Sequence, residues 1–178
     1  MDLLKYIKVY DNVISEEVCK KIIQDYEDRS HLVETHDTDG YKFHQLNLNK
    51  TDLAPLAQAF AGTLIPLYEQ YFKELGVLDF VNVDNFEELR IKKYLKGTDD
   101  QFKTHVDVMN HDTAYRFSIA ILYLNDNDGL TVFNQLGVGV EPKPGRVVMF
   151  PPFWMFPHAG LAPTNNDKYI IMTSLRYV

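Results

Sequence analysis

The texture of this 178-residue chain changes once, at Gly76, and that change limits its fold more than any other feature. Before it, apolar residues recur at helical spacing. After it come short apolar segments bounded by Gly, Asn, Asp and Pro, the pattern of successive β-strands. In the first part, Ile7, Val9 and Val13 make a short β-like start. Ser15 then offers an N-cap with Glu16 and Glu17 in the first turn, and Val18, Cys19, Ile22, Ile23 and Tyr26 mark one helix face. The polar stretch from Glu27 to Gly40 ends that helix. A second helix is expected from Asp52 to Leu75, stopped by Gly76, with Pro66 expected to kink or split it. Strands are expected near 88–95, 102–108, 114–124, 130–134, 146–150, 155–159 and 167–177.

Two helices followed by about seven strands predict an α+β, mainly β domain whose sheets form a sandwich, jelly roll or barrel. The length suits one domain over 1–178, with helical N-terminal support to about residue 76 and a β core from about 77. No repeat, low-complexity tract or linker interrupts it. Lys and Arg total 18 against 25 Asp and Glu, so a net charge of −7 argues against a nucleic-acid partner. No signal-peptide layout opens the chain, and no apolar run is long enough to span a bilayer. A single cysteine, Cys19, suits a reducing compartment. The expectation is therefore a soluble, intracellular, cytoplasmic protein without a membrane partner; its oligomeric state is not legible.

His105-Val106-Asp107 falls in an expected strand, where alternate side chains share a face, so the imidazole and carboxylate should project together. Two His and one carboxylate on one face, with other positions open, is the ligand set of mononuclear non-haem iron(II) oxygenases. His158, in Phe156-Pro157-His158-Ala159-Gly160 on a late strand, is the candidate third ligand. His31, His36, His44 and His111 sit in polar sequence and read as solvated loop residues. Trp154, Phe153, Met155 and Phe156 are candidates for an apolar rim above the site, or for core.

At these residues the chain resembles the iron(II) and 2-oxoglutarate-dependent dioxygenase superfamily, in its prolyl 4-hydroxylase-like branch. The resemblance rests on Tyr94, His105-x-Asp107, Tyr123-Leu124-Asn125, Gly129-Leu130-Thr131-Val132-Phe133, Pro142-x-Pro144-Gly145-Arg146, Phe150-Pro151, His158 and Lys168-Tyr169. It departs from the family at Asp128, which stands where a second glycine is usual. The resemblance implies a double-stranded β-helix (jelly-roll or cupin-like) core with the N-terminal helices packed on one sheet. It further implies Fe(II) held by His105, Asp107 and His158, with 2-oxoglutarate and O2 as co-substrates and ascorbate as an accessory reductant. In the family a basic residue nine or ten positions past the distal His pairs with the far carboxylate of 2-oxoglutarate, and Lys168 lies ten past His158. Arg176 is its rival; eight strand residues separate them by roughly 26 Å, so only one can serve, and spacing selects Lys168. Tyr123, sharing a strand face with Phe117, Ile119 and Ile121, and more weakly Tyr94, are assigned to the same co-substrate.

The implied reaction is hydroxylation of an unactivated C–H bond, with peptidyl proline as first substrate and 28–50, 97–104 and 109–114 as substrate loops, where Tyr41 and His44 are candidate contacts. The alternatives are a related oxygenase acting on a free amino acid or other small molecule, and a non-catalytic cupin-like metal-binding module.

Overall fold

A computed structural model describes residues 2–81 and 85–177. Met1, Val178 and residues 82–84 of the expected domain lie outside the described residues.

Helix α1 (Glu16–Glu27) begins where expected: the Ser15 hydroxyl accepts from the Val18 amide, and Glu16 and Glu17 occupy the first turn. Its face of Cys19, Ile22 and Tyr26 is buried. Helix α2 (Ala54–Leu75) runs through Pro66 without a break and ends at Gly76, whose φ of 71° supplies the left-handed cap. The expected split does not occur. The carbonyl that Pro66 leaves without a donor belongs to Gly62, and both residues are exposed, so the group is open to solvent.

Among the described residues, twelve strands form one antiparallel sheet: β1 (Lys8–Tyr10), β2 (Glu34–Asp37), β3 (Tyr41–Asn47), β4 (Asn85–Phe86), β5 (Arg90–Tyr94), β6 (Gln101–His105), β7 (Arg116–Tyr123), β8 (Thr131–Phe133), β9 (Val138–Val140), β10 (Val147–Phe150), β11 (His158–Gly160) and β12 (Lys168–Arg176). The main order is β1-β10-β7-β12-β5-β3-β6-β11-β8-β9, with β2 on β3 and β4 on β12. All seven expected strands are present, several of them shorter than expected. The first 76 residues are not purely helical support, because β3 sits between β5 and β6 inside the sheet.

The sheet curls back on itself, so β7 has two buried faces. Ala120, Leu122 and Leu124 meet the helices in one core with Leu64, Tyr68 and Ile171. Ile119, Ile121 and Tyr123 point into the β enclosure with Phe43, Phe133 and Phe150. Phe133 of β8 meets Phe150 of β10 edge to face at 4.9 Å, which joins the two layers. Each fully buried aliphatic stabilises the fold by about 1.5–3 kcal/mol relative to exposure. The phenols entering the helix side are satisfied by backbone: Tyr68 donates to Ser118 O at 3.2 Å and Tyr71 to Tyr6 O at 2.8 Å.

Candidate metal and co-substrate site

The register of β6 against β11 places His158 directly opposite His105, their ring centroids 4.4 Å apart. The expected strand 102–108 stops at His105, because the Asp107 and Val108 amides both leave the ladder to donate to Pro152 O at 3.1 Å. Arg116 Nη1 holds the Asp107 carbonyl at 2.9 Å. Turned in this way, the Asp107 carboxylate lies 3.9 Å from His105 Nε2 and 3.5 Å from His158 Nε2. The three residues offer ligand atoms all within 4.8 Å of one another, the arrangement expected of a metal-binding group.

Backbone carbonyls fix both imidazoles. His105 Nδ1 lies 2.8 Å from Lys103 O and His158 Nδ1 lies 3.1 Å from Phe156 O. A carbonyl only accepts, so each Nδ1 carries the proton and each Nε2 presents a lone pair. Burial, with the neighbouring imidazole adding to it at His105, lowers both pKa values to about 4, so both rings are neutral. Burial pushes the Asp107 carboxyl up. Asp107 Oδ2 is buried without a hydrogen-bond partner. A buried carboxylate oxygen left without a donor between two imidazole lone pairs fits a divalent cation, so the donor set passes as a site for iron.

The same cavity contains Tyr94, Thr131, Gly160 and Lys168 at its other end. Lys168 is 1% exposed. Its ammonium donates to Gly129 O at 2.7 Å and lies 4.9 Å from the centre of the Tyr94 ring, its cross-strand neighbour. Burial lowers its pKa to about 7. A side chain at Gly129 would place Cβ 2.7 Å from Leu161 O, so glycine is required where the backbone turns to meet Lys168. The departure at Asp128 leaves this turn intact, since its carboxylate accepts from the Thr164 amide at 2.9 Å and from the Thr164 hydroxyl. Tyr123 is fully buried and donates to Thr131 Oγ1 at 2.7 Å, so Thr131 stands between it and the cavity.

Arg176 lies away from this cavity, its guanidinium 5.5 Å from the centre of the Tyr115 ring. His31 and His111 are exposed as expected. His36 and His44 are not loop residues: they belong to the β2–β3 hairpin, where His36 stacks on Phe43 at 5.1 Å and His44 Nε2 lies 3.4 Å from Asp100 Oδ2. Of the aromatic rim, Trp154 is 76% exposed and Phe156 is core. Sequence reasoning missed Arg116 and Lys92, and named Thr131 only within a motif, with no role of its own. Lys92 is buried and lines both this cavity and a wider cleft beside Asp107. The alternation Arg90-x-Lys92-x-Tyr94, with apolar Ile91 on the opposite face, was the signal for it.

Residues 89–176 match the family model of the 2OG-Fe(II) oxygenase superfamily. A search among curated protein sequences gives no match. Among solved structures, the chain resembles a viral collagen prolyl hydroxylase of Paramecium bursaria Chlorella virus-1, solved as a 2OG complex, at 17% identity and TM-score 0.74, with 97% of each chain covered. A Pseudomonas putida prolyl-4-hydroxylase is similar at 17% identity and TM-score 0.73, over 97% of this chain and 93% of the other. A Trichoplax adhaerens prolyl hydroxylase, in complex with a hypoxia inducible factor oxygen degradation domain peptide fragment, is similar at 14% identity and TM-score 0.70, over 97% and 84%. These likenesses establish the double-stranded β-helix fold. Among the described residues, no helix is long and apolar enough to cross a membrane.

Proposed function

We propose that this chain, which belongs to the 2OG-Fe(II) oxygenase superfamily and so works with Fe(II), 2-oxoglutarate and O2, holds the metal through His105, Asp107 and His158 and hydroxylates peptidyl proline. The observation that carries the site assignment is the pairing of His158 with His105 around a buried, unsatisfied Asp107 oxygen, at one end of a cavity whose other end holds a buried lysine.

His105 and His158 would bind through Nε2, because Nδ1 of each is committed to a carbonyl. Lys168 would take the distal carboxylate of 2-oxoglutarate: it is buried, cationic when its partner arrives, and among the described residues has no carboxylate of its own. Tyr94 walls that end with its ring, and Tyr123 acts through Thr131, whose hydroxyl it orients. Bound iron and co-substrate supply the oxidation, in which 2-oxoglutarate and oxygen become succinate and carbon dioxide and one oxygen atom enters a substrate C–H bond. The protein contributes position and dryness: Phe133, Phe150 and Phe156 close the interior behind the His pair. Peptidyl proline as substrate is supported by the prolyl hydroxylase neighbours and by the open cleft beside Asp107.

The test is anaerobic addition of Fe(II) and 2-oxoglutarate, followed by oxygen. A visible charge-transfer band and then succinate are expected. Folded protein that gives neither overturns the reading, and a band without hydroxylation of proline peptides overturns only the substrate.

A further inference from the structure

The interior face of β5 carries Arg90, Lys92 and Tyr94 at alternate positions, and the middle one differs from both neighbours in how its charge is met. Lys92 is only 7% exposed. Its ammonium lies 4.2 Å from the centre of the Phe43 ring and 5.4 Å from that of Phe102, rings that stack on each other at 6.0 Å. Among the described residues, no carboxylate lies within 4.0 Å of it and it donates no hydrogen bond. The other cations around the cleft are paired: Arg90 with Glu88 at 2.9 Å, and Arg116 with Glu87 at 3.1 Å. Glu87 is further occupied by Tyr115 and Ser174. Asp107 is the remaining acid of the cleft, and in the proposed function its charge is committed to the metal.

An ammonium removed from water without an anion is costly, and ring faces offset only part of that cost. Here it forms the wall between the metal cavity and the open cleft. Phe102, on which it rests, stacks in turn on His105 at 3.7 Å. Lys92 and the metal-binding His105 therefore have the Phe102 ring as a common neighbour. Lys168 already supplies a cation for the far end of the co-substrate, at the opposite end of the cavity.

We propose that the substrate carries a carboxylate beside the carbon to be oxidised, and that Lys92 pairs with it. This rests on the oxygenase reading and deepens it. The carboxylate has two sources, the free α-carboxylate of an amino acid or chain terminus and an acidic side chain next to proline.

Calorimetry on the anaerobic Fe(II)–2-oxoglutarate protein separates them with two probe pairs: L-proline against L-prolinamide, and N-acetyl-Gly-Pro-Asp-amide against N-acetyl-Gly-Pro-Asn-amide. The acidic member of one pair is expected to bind at least tenfold more tightly than its neutral partner, and the pair that responds identifies the source. Lys92→Met should erase the preference while leaving 2-oxoglutarate affinity within twofold, and Lys92→Arg should keep it, which makes the proposal testable should the methionine variant not fold. No acid preference in either pair, whether both members bind equally or neither binds, overturns the proposal. So does a preference that survives Lys92→Met, or a loss of 2-oxoglutarate affinity in that variant, which would assign Lys92 to the co-substrate. Failure of the charge-transfer band in wild-type protein overturns the oxygenase reading itself; a normal band without acid preference overturns only the role of Lys92.

Discussion

Strand β7 divides two interiors that share a backbone and differ in chemistry. Towards the helices, Ala120, Leu122 and Leu124 meet a core of aliphatic and aromatic side chains in which the Tyr68 and Tyr71 phenols donate to backbone carbonyls. Towards the enclosure, Ile119, Ile121 and Tyr123 share space with His105, Asp107, His158, Lys92 and Lys168, all of them largely withdrawn from water. The lysines there have no carboxylate partner among the described residues, and one Asp107 oxygen has no donor. One side of the strand thus holds the stability and the other spends it on groups that wait for ligands. If the division is real, substitutions on the two sides should fail in different ways.

The largest effect is expected on the enclosure side. Asp107→Ala should bring succinate release below detection while the melting temperature moves by no more than a few degrees, since its buried Oδ2 has no donor to lose. His158→Ala should abolish succinate as completely but melt earlier, because it also loses its bond to Phe156 O and its packing on Phe150. Leu122→Ala, on the opposite face, should cost about 2–5 kcal/mol in denaturant unfolding and leave the charge-transfer band of the folded fraction intact. An Asp107→Ala variant that melts as early as Leu122→Ala would break the comparison. Lys168→Met should raise the 2-oxoglutarate requirement at least about tenfold while holding or increasing stability, because a buried ammonium met only by the Gly129 carbonyl is replaced by an apolar side chain. Saturation curves and thermal melts of the same preparation check both halves.

The smallest effect is a slope. The Lys168 pKa is about 7 in the folded protein against 10.5 as its ordinary value, so between those pH values the unfolded chain binds more protons. Stability of the metal-free protein should therefore rise from pH 7 towards 10.5, with Lys92, lowered by burial to about 8 against the pull of Asp107, adding in the same direction. Melting curves of Lys168→Met across this range should show a shallower rise, and an unchanged slope would mean that its ammonium is not desolvated as described.

Much of this division is legible in the sequence because it is periodic. Ile119-x-Ile121-x-Tyr123 and Ala120-x-Leu122-x-Leu124 announce a strand buried on both faces, and Ser15 followed by Glu16 and Glu17 announces a helix start. The β2–β3 hairpin escaped because its residues are mostly polar and its burial comes from the enclosure closing over it. The position of Asp107 escaped in part, since alternation places it on the His105 face but cannot show that Pro152 draws its backbone out of the ladder. Lys92 escaped because two adjacent lysines do not themselves say which turns inward. Lys93 pairs with Glu27 at 2.8 Å, while its neighbour points inward beside two rings.

The place of β12 has a consequence for how the protein is made. It fills the gap between β5 and β7, forming five register pairs with β5 and seven with β7, yet it begins 45 residues after Tyr123 ends β7. At ordinary translation rates, roughly two to nine seconds separate the emergence of β7 from that of β12, and β5 waits longer still. During that interval the edges that β12 will fill leave amides and carbonyls free, a template for pairing with another nascent chain, above all along the apolar β7. Yield in a cell should therefore depend on elongation speed and on holding chaperones more than the finished fold would suggest.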